Sequence, residues 1–329
     1  MTVPSSFSRL PTVSKVLRTP PECFAQLRGF DYTPHYLTLQ ASEGTPLRVS
    51  FIDEGPRNAP VALLMHGEPT WSYLYRKMIP VLLAEGFRVV APDMVGFGRS
   101  DKPASARDHS YAHQLQWMNA WLAQLDLRGI TLFCQDWGSL IGLRMATAQG
   151  ERFERIILSN GGLPTGDGWR SRAFLLWRAF ATYSPWFPIG RIVQTGCQQG
   201  LDKADVAAYD APYPSAAYRA APRVYPSLVP ISPNDPQSQP NEAAWQVLEQ
   251  WHKPFVTLFS SGDPVTRGAE LPFLSRVPGA RGQAHQIIRK ASHFVQEDQG
   301  PLLARLMVQL MKGQPILPGP GYRPHPSIA

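Results

Sequence analysis

Residue 136 carries an acid at a point in the chain where its side chain could act as a nucleophile. Residues 130–139 predict a buried strand, a sharp turn framed by small residues and the start of a helix, which together present the turn residue above a sheet. Related layouts commonly place a serine there, which attacks acyl carbons. A carboxylate is poorly suited to ester hydrolysis, but it can displace a leaving group from a saturated carbon and become esterified itself. Asp136 is therefore the candidate nucleophile.

His293 and Asp263 are the candidates for a base and for the acid that orients it. His293 alone among the eight histidines follows the last predicted strand and opens the last predicted helix, whereas His66 and His285 are assigned to a loop and a strand. Asp263 ends the penultimate predicted strand, from which its carboxylate can reach the histidine loop. An ordinary turn aspartate before proline is the alternative. The other strand end that could supply an acid carries the uncharged Asn160, so Asp263 is preferred.

The loop at residues 66–70 follows the predicted strand at 61–65 and is expected to lie beside Asp136. In this layout one backbone N–H of that loop and the backbone N–H after the nucleophile form an oxyanion hole. Glu68 and Trp137 supply the two candidate N–H groups. A plain strand-to-helix turn is the alternative, because the loop contains glycine and proline; the neighbouring turn at Asp136 favours the functional interpretation.

Alternating strand and helix patterns predict an α/β fold. Residues 35–40 and 47–53 alternate apolar and polar side chains around a turn at 42–44, as expected for an antiparallel hairpin at the edge of a sheet. The alternation indicates a mostly parallel sheet of eight strands with helices on both faces. Buried strands are predicted at 61–65, 87–91, 130–134, 155–159, 254–260 and 285–288, and helices near 72–85, 110–126, 139–149, 241–251 and 294–312.

The strand–helix alternation stops between residues 163 and 229, which divides the chain into a core and an inserted module. This stretch is rich in aromatic residues and proline and has helical patterns but no buried strand, so we predict a helical cap domain at 163–229. The core then comprises 35–162 and 230–313, preceded by an N-terminal segment at 1–34. Residues 314–329 contain five prolines and two glycines, which predicts an extended or disordered tail.

Charge and composition limit the possible partners and location. The formal net charge is +7, yet the basic residues are scattered and no run reaches five, which argues against nucleic-acid binding. No apolar stretch approaches the roughly 20 residues that a membrane helix needs, and the N-terminal residues lack the apolar core of a signal peptide. The three cysteines are far apart, which indicates free thiols rather than disulfides or a zinc site. A cytoplasmic monomer is the simplest expectation.

Three motifs of the chain together resemble those of a known family. They are His66-Gly67-Glu68-Pro69-Thr70-Trp71-Ser72-Tyr73-Leu74-Tyr75-Arg76, Pro92-Asp93-Met94-Val95-Gly96-Phe97-Gly98-Arg99-Ser100-Asp101-Lys102-Pro103 and Gln135-Asp136-Trp137-Gly138. From about residue 19 to residue 313 the chain resembles a haloalkane dehalogenase of the α/β-hydrolase superfamily, and the combination of motifs is specific. One feature departs from the usual turn at the nucleophile, since Cys134 occupies a position where glycine is usual.

The resemblance implies a hydrolytic dehalogenation that needs no metal or organic cofactor. Asp136 would attack the carbon bearing the halogen in line, expel halide and leave an alkyl ester. His293 would then deprotonate a water that attacks the ester, while the backbone N–H groups of Glu68 and Trp137 stabilise the oxyanion. Asp263 would hold the histidine in the required tautomer. The expected partners are a haloalkane substrate, water and the halide product.

A halide that leaves inside an apolar pocket needs N–H donors, because an unpaired buried charge is costly. The resemblance assigns the first donor to Trp137. Family members take the second from an asparagine after the His-Gly pair or from a tryptophan in the cap, and this chain has Glu68 at the first of these positions. Trp177 matches the cap position, with Trp169 and Trp186 as nearby competitors. Trp137 and Trp177 are therefore the predicted halide-binding pair.

Two other functions remain open from the sequence. An epoxide hydrolase would also use an elbow aspartate, a histidine and a following tryptophan, but it needs cap tyrosines that protonate an alkoxide; the loop at 68–71 is more similar to dehalogenases. A non-catalytic ligand-binding protein on a hydrolase scaffold is the second alternative, although a binder has no need of Asp136, Asp263 and His293 together. The cap tyrosines are Tyr183, Tyr209, Tyr213, Tyr218 and Tyr225.

Overall fold

The computed structural model describes residues 12–13, 15–40, 45–167, 171–317 and 319–326. The turn predicted at 42–44 and the competitor Trp169 lie outside these ranges. The strands are β1 (Val16–Leu17), β2 (His35–Leu39), β3 (Leu47–Glu54), β4 (Val61–Met65), β5 (Arg88–Pro92), β6 (Lys102–Pro103), β7 (Ile130–Asp136), β8 (Phe153–Gly161), β9 (Phe255–Ser260), β10 (Gln286–Ile288) and β11 (Tyr322–Pro324). A main sheet has the order β11-β10-β9-β8-β7-β4-β5-β3-β2, and β1 pairs separately with β6.

The six predicted buried strands are confirmed as β4, β5, β7, β8, β9 and β10, which run parallel to one another. β4 is buried along its whole length, as its continuous apolar run predicts. The predicted hairpin is also present: β2 forms the edge, and β3 lies between β2 and β5 with antiparallel pairing to both. Because the six central strands run the same way, their carboxyl ends meet at one edge of the sheet, where open α/β sheets bind ligands.

The main sheet has nine strands in the described part of the chain, rather than the eight predicted, because the C-terminal tail adds one. β11 pairs antiparallel with β10. The pairing extends beyond β11, since the Arg289 N–H donates to the Gly321 carbonyl at 2.8 Å and the His325 N–H donates to the His285 carbonyl at 3.0 Å. Proline is tolerated in an edge strand, because one side of that strand needs no donors. The proline-rich tail is therefore extended here and contributes to the sheet.

Helices cover both faces of the sheet, as predicted. They are α1 (Ile79–Ala84), α2 (Tyr111–Leu125), α3 (Trp137–Ala148), α4 (Arg172–Tyr183), α5 (Ile189–Thr195), α6 (Lys203–Asp210), α7 (Ala220–Leu228), α8 (Ser238–Leu248), α9 (Leu271–Arg276) and α10 (Val295–Met311). Alternate strand residues point to opposite faces, so Leu63 and Met65 join one apolar cluster while Ala62 and Leu64 join another. The first cluster includes side chains of α2, α3 and α8, and the second includes those of α1 and α10.

Four helices, α4 to α7, lie between β8 and α8, where the sequence predicts a helical insertion. α7 packs on the core through Tyr225, whose ring centroid lies 5.0 Å from that of Phe97 and 4.6 Å from that of Trp137. α5 contributes Ile189 and Val193 to the apolar cluster that contains α1 and α10. Within the described ranges no helix is both long enough and apolar enough to cross a membrane.

Candidate active site

Asp136 occupies a strained turn between β7 and α3. Its backbone has a φ of 51° and a ψ of −128°, a conformation that is costly for any residue with a side chain. Gly138 allows α3 to begin close to β4, because a Cβ at this position would lie 2.0 Å from the Met65 carbonyl oxygen. Cys134 is fully buried, and burial raises the pKa of its thiol, so it is not a competing nucleophile. The turn presents Asp136 at the carboxyl edge of the sheet, where the sequence predicts it.

The loop after β4 brings a backbone donor to the Asp136 carboxylate. The Glu68 N–H donates to Asp136 Oδ1 at 2.7 Å. Gly67 permits this approach, because a Cβ there would lie 2.3 Å from the same oxygen. Trp137 is the first residue of α3, so its backbone N–H has no intrahelical acceptor. The structure thus places both predicted oxyanion donors next to Asp136, and the catalytic role of these donors stays a prediction.

His293 lies between the two carboxylates. Its Nε2 is 3.5 Å from Asp136 Oδ2, and its Nδ1 is 3.0 Å from Asp263 Oδ2. Burial of the imidazole lowers the pKa of His293, but the Asp263 and Asp136 carboxylates outweigh burial and raise it to about 10. The three side chains that the sequence selects therefore have the geometry of a nucleophile, a base and an orienting acid.

Asp263 is held by its own turn as well as by the histidine. Its Oδ1 accepts the Val265 N–H at 2.7 Å, and the Thr266 hydroxyl donates to Oδ2. Burial alone would raise the pKa of Asp263, but His293 and these two donors lower it below its ordinary value. The turn contacts of an ordinary aspartate before proline are thus present, and the same carboxylate also reaches the imidazole.

Asn160 fixes the histidine loop, a role that its position in the sequence does not reveal. Its Nδ2 donates to the carbonyl oxygens of Ser292 at 2.8 Å and His293 at 3.0 Å. Its Oδ1 accepts the Ser260 N–H at 2.9 Å. An amide suits this position because it donates and accepts at once, whereas a carboxylate could not donate to the two carbonyls. The end of β8 is thereby tied to β9 and to the loop that carries the base.

Two other buried histidines have structural partners. The His66 Nδ1 contacts the carbonyl oxygen of the next residue at 2.9 Å, and its Nε2 accepts the Met94 N–H at 2.9 Å. The His285 Nδ1 accepts the Thr257 N–H at 3.0 Å. Burial lowers the pKa of both imidazoles. These contacts leave His293 as the candidate base. Across the described ranges, no group of three or more His, Cys, Asp or Glu side chains is arranged to hold a metal ion.

Two cavities meet at Asp136. The smaller, of about 220 Å³, is lined by both predicted halide donors, Trp137 and Trp177, together with His293. The larger, of about 480 Å³, is lined by Asp136 and Trp137 but not by Trp177 or His293. Phe174 lines both cavities. The predicted nucleophile, base and halide donors therefore all line the smaller cavity. The larger cavity is lined only by Asp136 and Trp137 among them.

The Glu68 side chain faces the smaller cavity beside Trp177. Burial raises the pKa of this carboxyl well above its ordinary value, the Asp136 charge raises it further, and His293 and a hydrogen bond from Trp177 oppose the increase. A raised pKa favours the uncharged form of Glu68, and in that form Glu68 adds no second negative charge next to Asp136. Trp186, the other described competitor for the halide role, is 60% exposed and lines neither cavity.

The cap tyrosines do not line the two cavities that meet at Asp136. Tyr183 is 83% exposed, the Tyr209 hydroxyl donates to Glu297, and Tyr225 hydrogen-bonds to Gln114. None of the five cap tyrosines lines either of the two cavities. Opening an epoxide in this site would therefore have no tyrosine hydroxyl to protonate the alkoxide, and the structure does not favour that alternative.

The parallel sheet, the strained turn and the Asp136–His293–Asp263 contacts define an α/β hydrolase. The family model for the alpha/beta hydrolase fold matches residues 60–299. The chain belongs to the haloalkane dehalogenases within this class, as the following similarities show. It is 50% identical over 301 residues to a haloalkane dehalogenase of Psychrobacter cryohalolentis, which covers 92% of this chain and 99% of the relative.

Other relatives agree with this assignment. The chain is 48% identical over 293 residues to a haloalkane dehalogenase of Mycobacterium marinum, covering 89% of this chain and 98% of that protein. Among solved structures, the tetrameric haloalkane dehalogenase DpaA from Paraglaciecola agarilytica NO2 superposes with a TM-score of 0.82 at 33% identity, covering 89% of this chain and 97% of that one. The similarity therefore spans the core and the inserted helices alike.

Proposed function

We propose that this chain hydrolyses haloalkanes to an alcohol, a halide ion and a proton, with Asp136 as the nucleophile. The surroundings of the Asp136 carboxylate carry the proposal: Oδ1 accepts the Glu68 N–H, and Oδ2 faces His293 beside a cavity that two tryptophans line. A carboxylate at this position needs no deprotonation before it attacks carbon. The relatives at 50% and 48% identity are haloalkane dehalogenases, which supports the same reaction here.

The first step alkylates the enzyme. An Asp136 oxygen forms a bond to the substrate carbon as the carbon–halogen bond breaks, and the bonding electron pair leaves with the halide. The indole N–H groups of Trp137 and Trp177 are proposed to donate to this ion, because an unpaired buried charge is costly. An indole suits the role since it donates without offering a competing lone pair. The products of the step are an alkyl ester of Asp136 and a bound halide.

The second step hydrolyses the ester. His293 Nε2 takes a proton from water while the water oxygen bonds to the carboxyl carbon of Asp136. The Glu68 and Trp137 N–H groups stabilise the oxyanion that forms. When this intermediate collapses, the bond to the alkoxy group breaks, the alcohol leaves with a proton, and the carboxylate is restored. Asp263 stabilises the imidazolium between the two proton transfers.

The charge of Asp136 couples the two steps through the pKa of His293. In the free enzyme two carboxylates raise that pKa to about 10, which favours the imidazolium form at neutral pH. An imidazolium cannot accept the proton of water. Esterification removes the charge of Asp136, so the pKa of His293 falls when a neutral base is needed. Alkylation thus prepares the base for hydrolysis.

Replacing His293 tests the two-step reaction. The His293→Gln variant keeps Asp136 and should release about one halide per enzyme from 1-bromobutane before it stops, because the ester cannot be hydrolysed. Intact-protein mass spectrometry should show the enzyme heavier by one butyl group, with the added mass on the peptide that contains Asp136. Rapid-quench halide detection measures the burst.

His285→Gln is the matched control, because His285 is also a buried histidine but its nitrogens are bonded to backbone groups. This variant should turn over without accumulating the ester. Steady halide release by His293→Gln at the wild-type rate would contradict the proposal. Release of no halide by the wild-type enzyme from chloro-, bromo- or iodoalkanes would contradict it as well.

Substrate size and assembly are finer parts of the proposal. The larger cavity, of about 480 Å³, has roughly three times the volume of a ~150 Å³ cavity that holds benzene, so we expect it to accept substrates longer or bulkier than 1-bromobutane. The monomer expected from the sequence stays a prediction, whereas the Paraglaciecola relative is tetrameric.

A further inference from the structure

Gln135, the residue before the nucleophile, contacts the base from inside the sheet. It lies in β7 and is fully buried. Its amide Nε2 donates to the His293 carbonyl oxygen at 3.2 Å and lies 3.2 Å from the His293 Nε2. Neither the alkylation step nor the oxyanion hole uses this amide. The contact with the basic nitrogen itself calls for an explanation.

The orientation of the amide follows from the His293 carbonyl. A carbonyl oxygen only accepts hydrogen bonds, so the amide nitrogen of Gln135 must face it rather than the amide oxygen. That nitrogen carries two N–H groups and has no lone pair to offer. With one N–H on the carbonyl, the second is left for the imidazole Nε2 and can donate to it only when that nitrogen presents a lone pair. The proton of the neutral ring consequently lies on Nδ1, which faces Asp263 Oδ2 at 3.0 Å.

Two groups next to His293 Nε2 favour opposite protonation states of that nitrogen. The Asp136 carboxylate, 3.5 Å away, favours a proton on Nε2, whereas the Gln135 N–H favours a lone pair. The ionisable groups that face the ring are Asp136, Asp263 and Glu68. Esterification removes the negative charge of Asp136, so Asp136 no longer favours a proton on Nε2. The Gln135 N–H still favours a lone pair there. At 3.2 Å the amide contact is at the long limit of a hydrogen bond, so the Gln135 N–H favours a lone pair on Nε2 without binding it tightly.

We propose that Gln135 is a positioning residue that holds His293 as the neutral, Nδ1-protonated tautomer in the alkyl-enzyme and so sets the lower pH limit of ester hydrolysis. The inference rests on the proposed function, because it concerns the second step of that reaction. An N–H directed at Nε2 repels the additional proton of an imidazolium. Gln135 therefore acts against the carboxylate of Asp263, which stabilises the charged ring.

Stability alone does not account for this amide. The Gln135 Oε1 is buried and has no hydrogen-bond partner among the described residues. A buried acceptor without a partner is destabilising, and an apolar side chain of similar size would avoid that loss. A glutamine at this place in β7 is better explained by what its N–H groups do for His293.

Gln135→Met separates this role from the rest of the reaction, because methionine fills the space and donates no hydrogen bond. Rapid-quench measurements with 1-bromobutane between pH 6 and 10 resolve bromide release from butanol formation. Bromide release should stay within about twofold of the wild type. The Gln135 amide contacts His293, which takes no part in the alkylation step, and it makes no hydrogen bond to the Asp136 carboxylate. The acid limb of butanol formation should move up by about one pH unit, which slows hydrolysis about tenfold at neutral pH and leaves it unchanged at pH 10.

Gln135→Glu is a second variant that keeps the shape of the side chain. Its carboxylate beside Nε2 should move the acid limb further up than methionine does, because in the alkyl-enzyme it adds a second negative charge near the ring, besides that of Asp263. Gln149→Met is the control, since Gln149 is a buried glutamine whose amide pairs with Asn119 and Arg152 far from the base. The control should lose stability without changing the pH profile.

The outcomes distinguish this inference from the proposed function. The wild-type enzyme could show a burst of bromide while neither Gln135 variant has a shifted acid limb. That result would overturn the inference and leave the proposed function intact. Equal slowing of both steps with an unshifted limb would also overturn it, because that pattern indicates only a structural loss. A wild-type enzyme that releases no bromide would overturn the proposed function and the inference together.

Discussion

The two predicted halide donors are held in different ways. Trp137 is 2% exposed, and its ring lies between those of Tyr111 and Tyr225, with centroids 5.1 and 4.6 Å away. Trp177 is half-buried and stacks on Phe187 at 5.8 Å. The first indole is therefore held between the core and α7, and the second packs against another residue of the insertion. Halide binding should consequently be sensitive to changes at Trp177 that leave the nucleophile in place.

Trp177→Phe should weaken bromide binding about tenfold or more. A hydrogen bond to a charged group contributes about 1.5–3 kcal/mol, and about 1.4 kcal/mol corresponds to a factor of ten in affinity. Phenylalanine keeps the aromatic stacking but removes the N–H donor. Titration with sodium bromide, followed by quenching of the remaining tryptophan fluorescence, measures the dissociation constant.

Trp186→Phe is the control for this measurement, because Trp186 is an exposed cap tryptophan that lines neither cavity. Its bromide affinity should equal that of the wild type. If Trp177→Phe binds bromide as tightly as Trp186→Phe does, the second donor lies elsewhere.

The site residues differ in how far the sequence reveals them. Asp136, Asp263 and His293 each follow a strand whose place in the chain can be predicted, so their meeting at one sheet edge can be predicted too. Gln135 and Asn160 contact the histidine residue across sequence separations of 158 and 133 residues. Their side chains act through an amide whose partners depend on which strands are neighbours, and no local pattern predicts such contacts.

At the scale of elements, the site depends on how closely the loop after β4 approaches the turn between β7 and α3. Gly67 is the contact point, because a Cβ on it would lie 2.3 Å from Asp136 Oδ1 and 2.4 Å from Asp136 Cβ. Such distances are shorter than any normal contact, so a side chain at position 67 must displace Asp136 or the loop. The glycine is therefore needed for the site rather than for the flexibility of the loop.

Gly67→Ala should lower kcat/KM by about 100-fold, since misplacement of a reacting group by about 1 Å costs a factor of this size. Steady-state halide release measures the loss, and thermal unfolding should show that the variant still folds. Gly142→Ala in α3 is the matched control, because its Cβ would lie 3.2 Å from Cδ2 at the flexible end of the Leu132 side chain. Full activity of Gly67→Ala would show that the loop can move without cost.

The edge strand β11 shows where prediction of elements fails. Residues 314–329 have the composition of a tail, and a stretch with five prolines has no strand pattern of its own. Its described part joins the sheet because β10 would otherwise leave a row of backbone groups unpaired. That demand comes from the assembled sheet. It is not visible in the tail itself, whereas the buried strands could be predicted from their own apolar residues.

On the scale of the whole molecule, a buried charged network joins the inserted helices to the core. Arg76 bonds Glu297 in α10 and Asp205 in α6, with Nη2 at 3.0 Å from a carboxylate oxygen of each. Lys77 lies 2.8 Å from Glu297, and the Tyr209 hydroxyl also donates to it. Burial would raise the pKa of Glu297, but the two cations lower it, so the carboxylate is favoured. The network connects the inserted helix α6 to α10, the helix that follows His293.

Glu297→Gln should destabilise the protein by about 3 kcal/mol, because removing one partner of a buried pair leaves part of the charge on Arg76 uncompensated. Glu85→Gln is the same substitution in a surface pair with Lys312, where both side chains are exposed, and it should cost less than about 1 kcal/mol. Urea unfolding of both variants measures the two free energies. Equal losses would mean that the buried network adds no more stability than a surface pair, and that apolar contacts alone hold the inserted helices on the core.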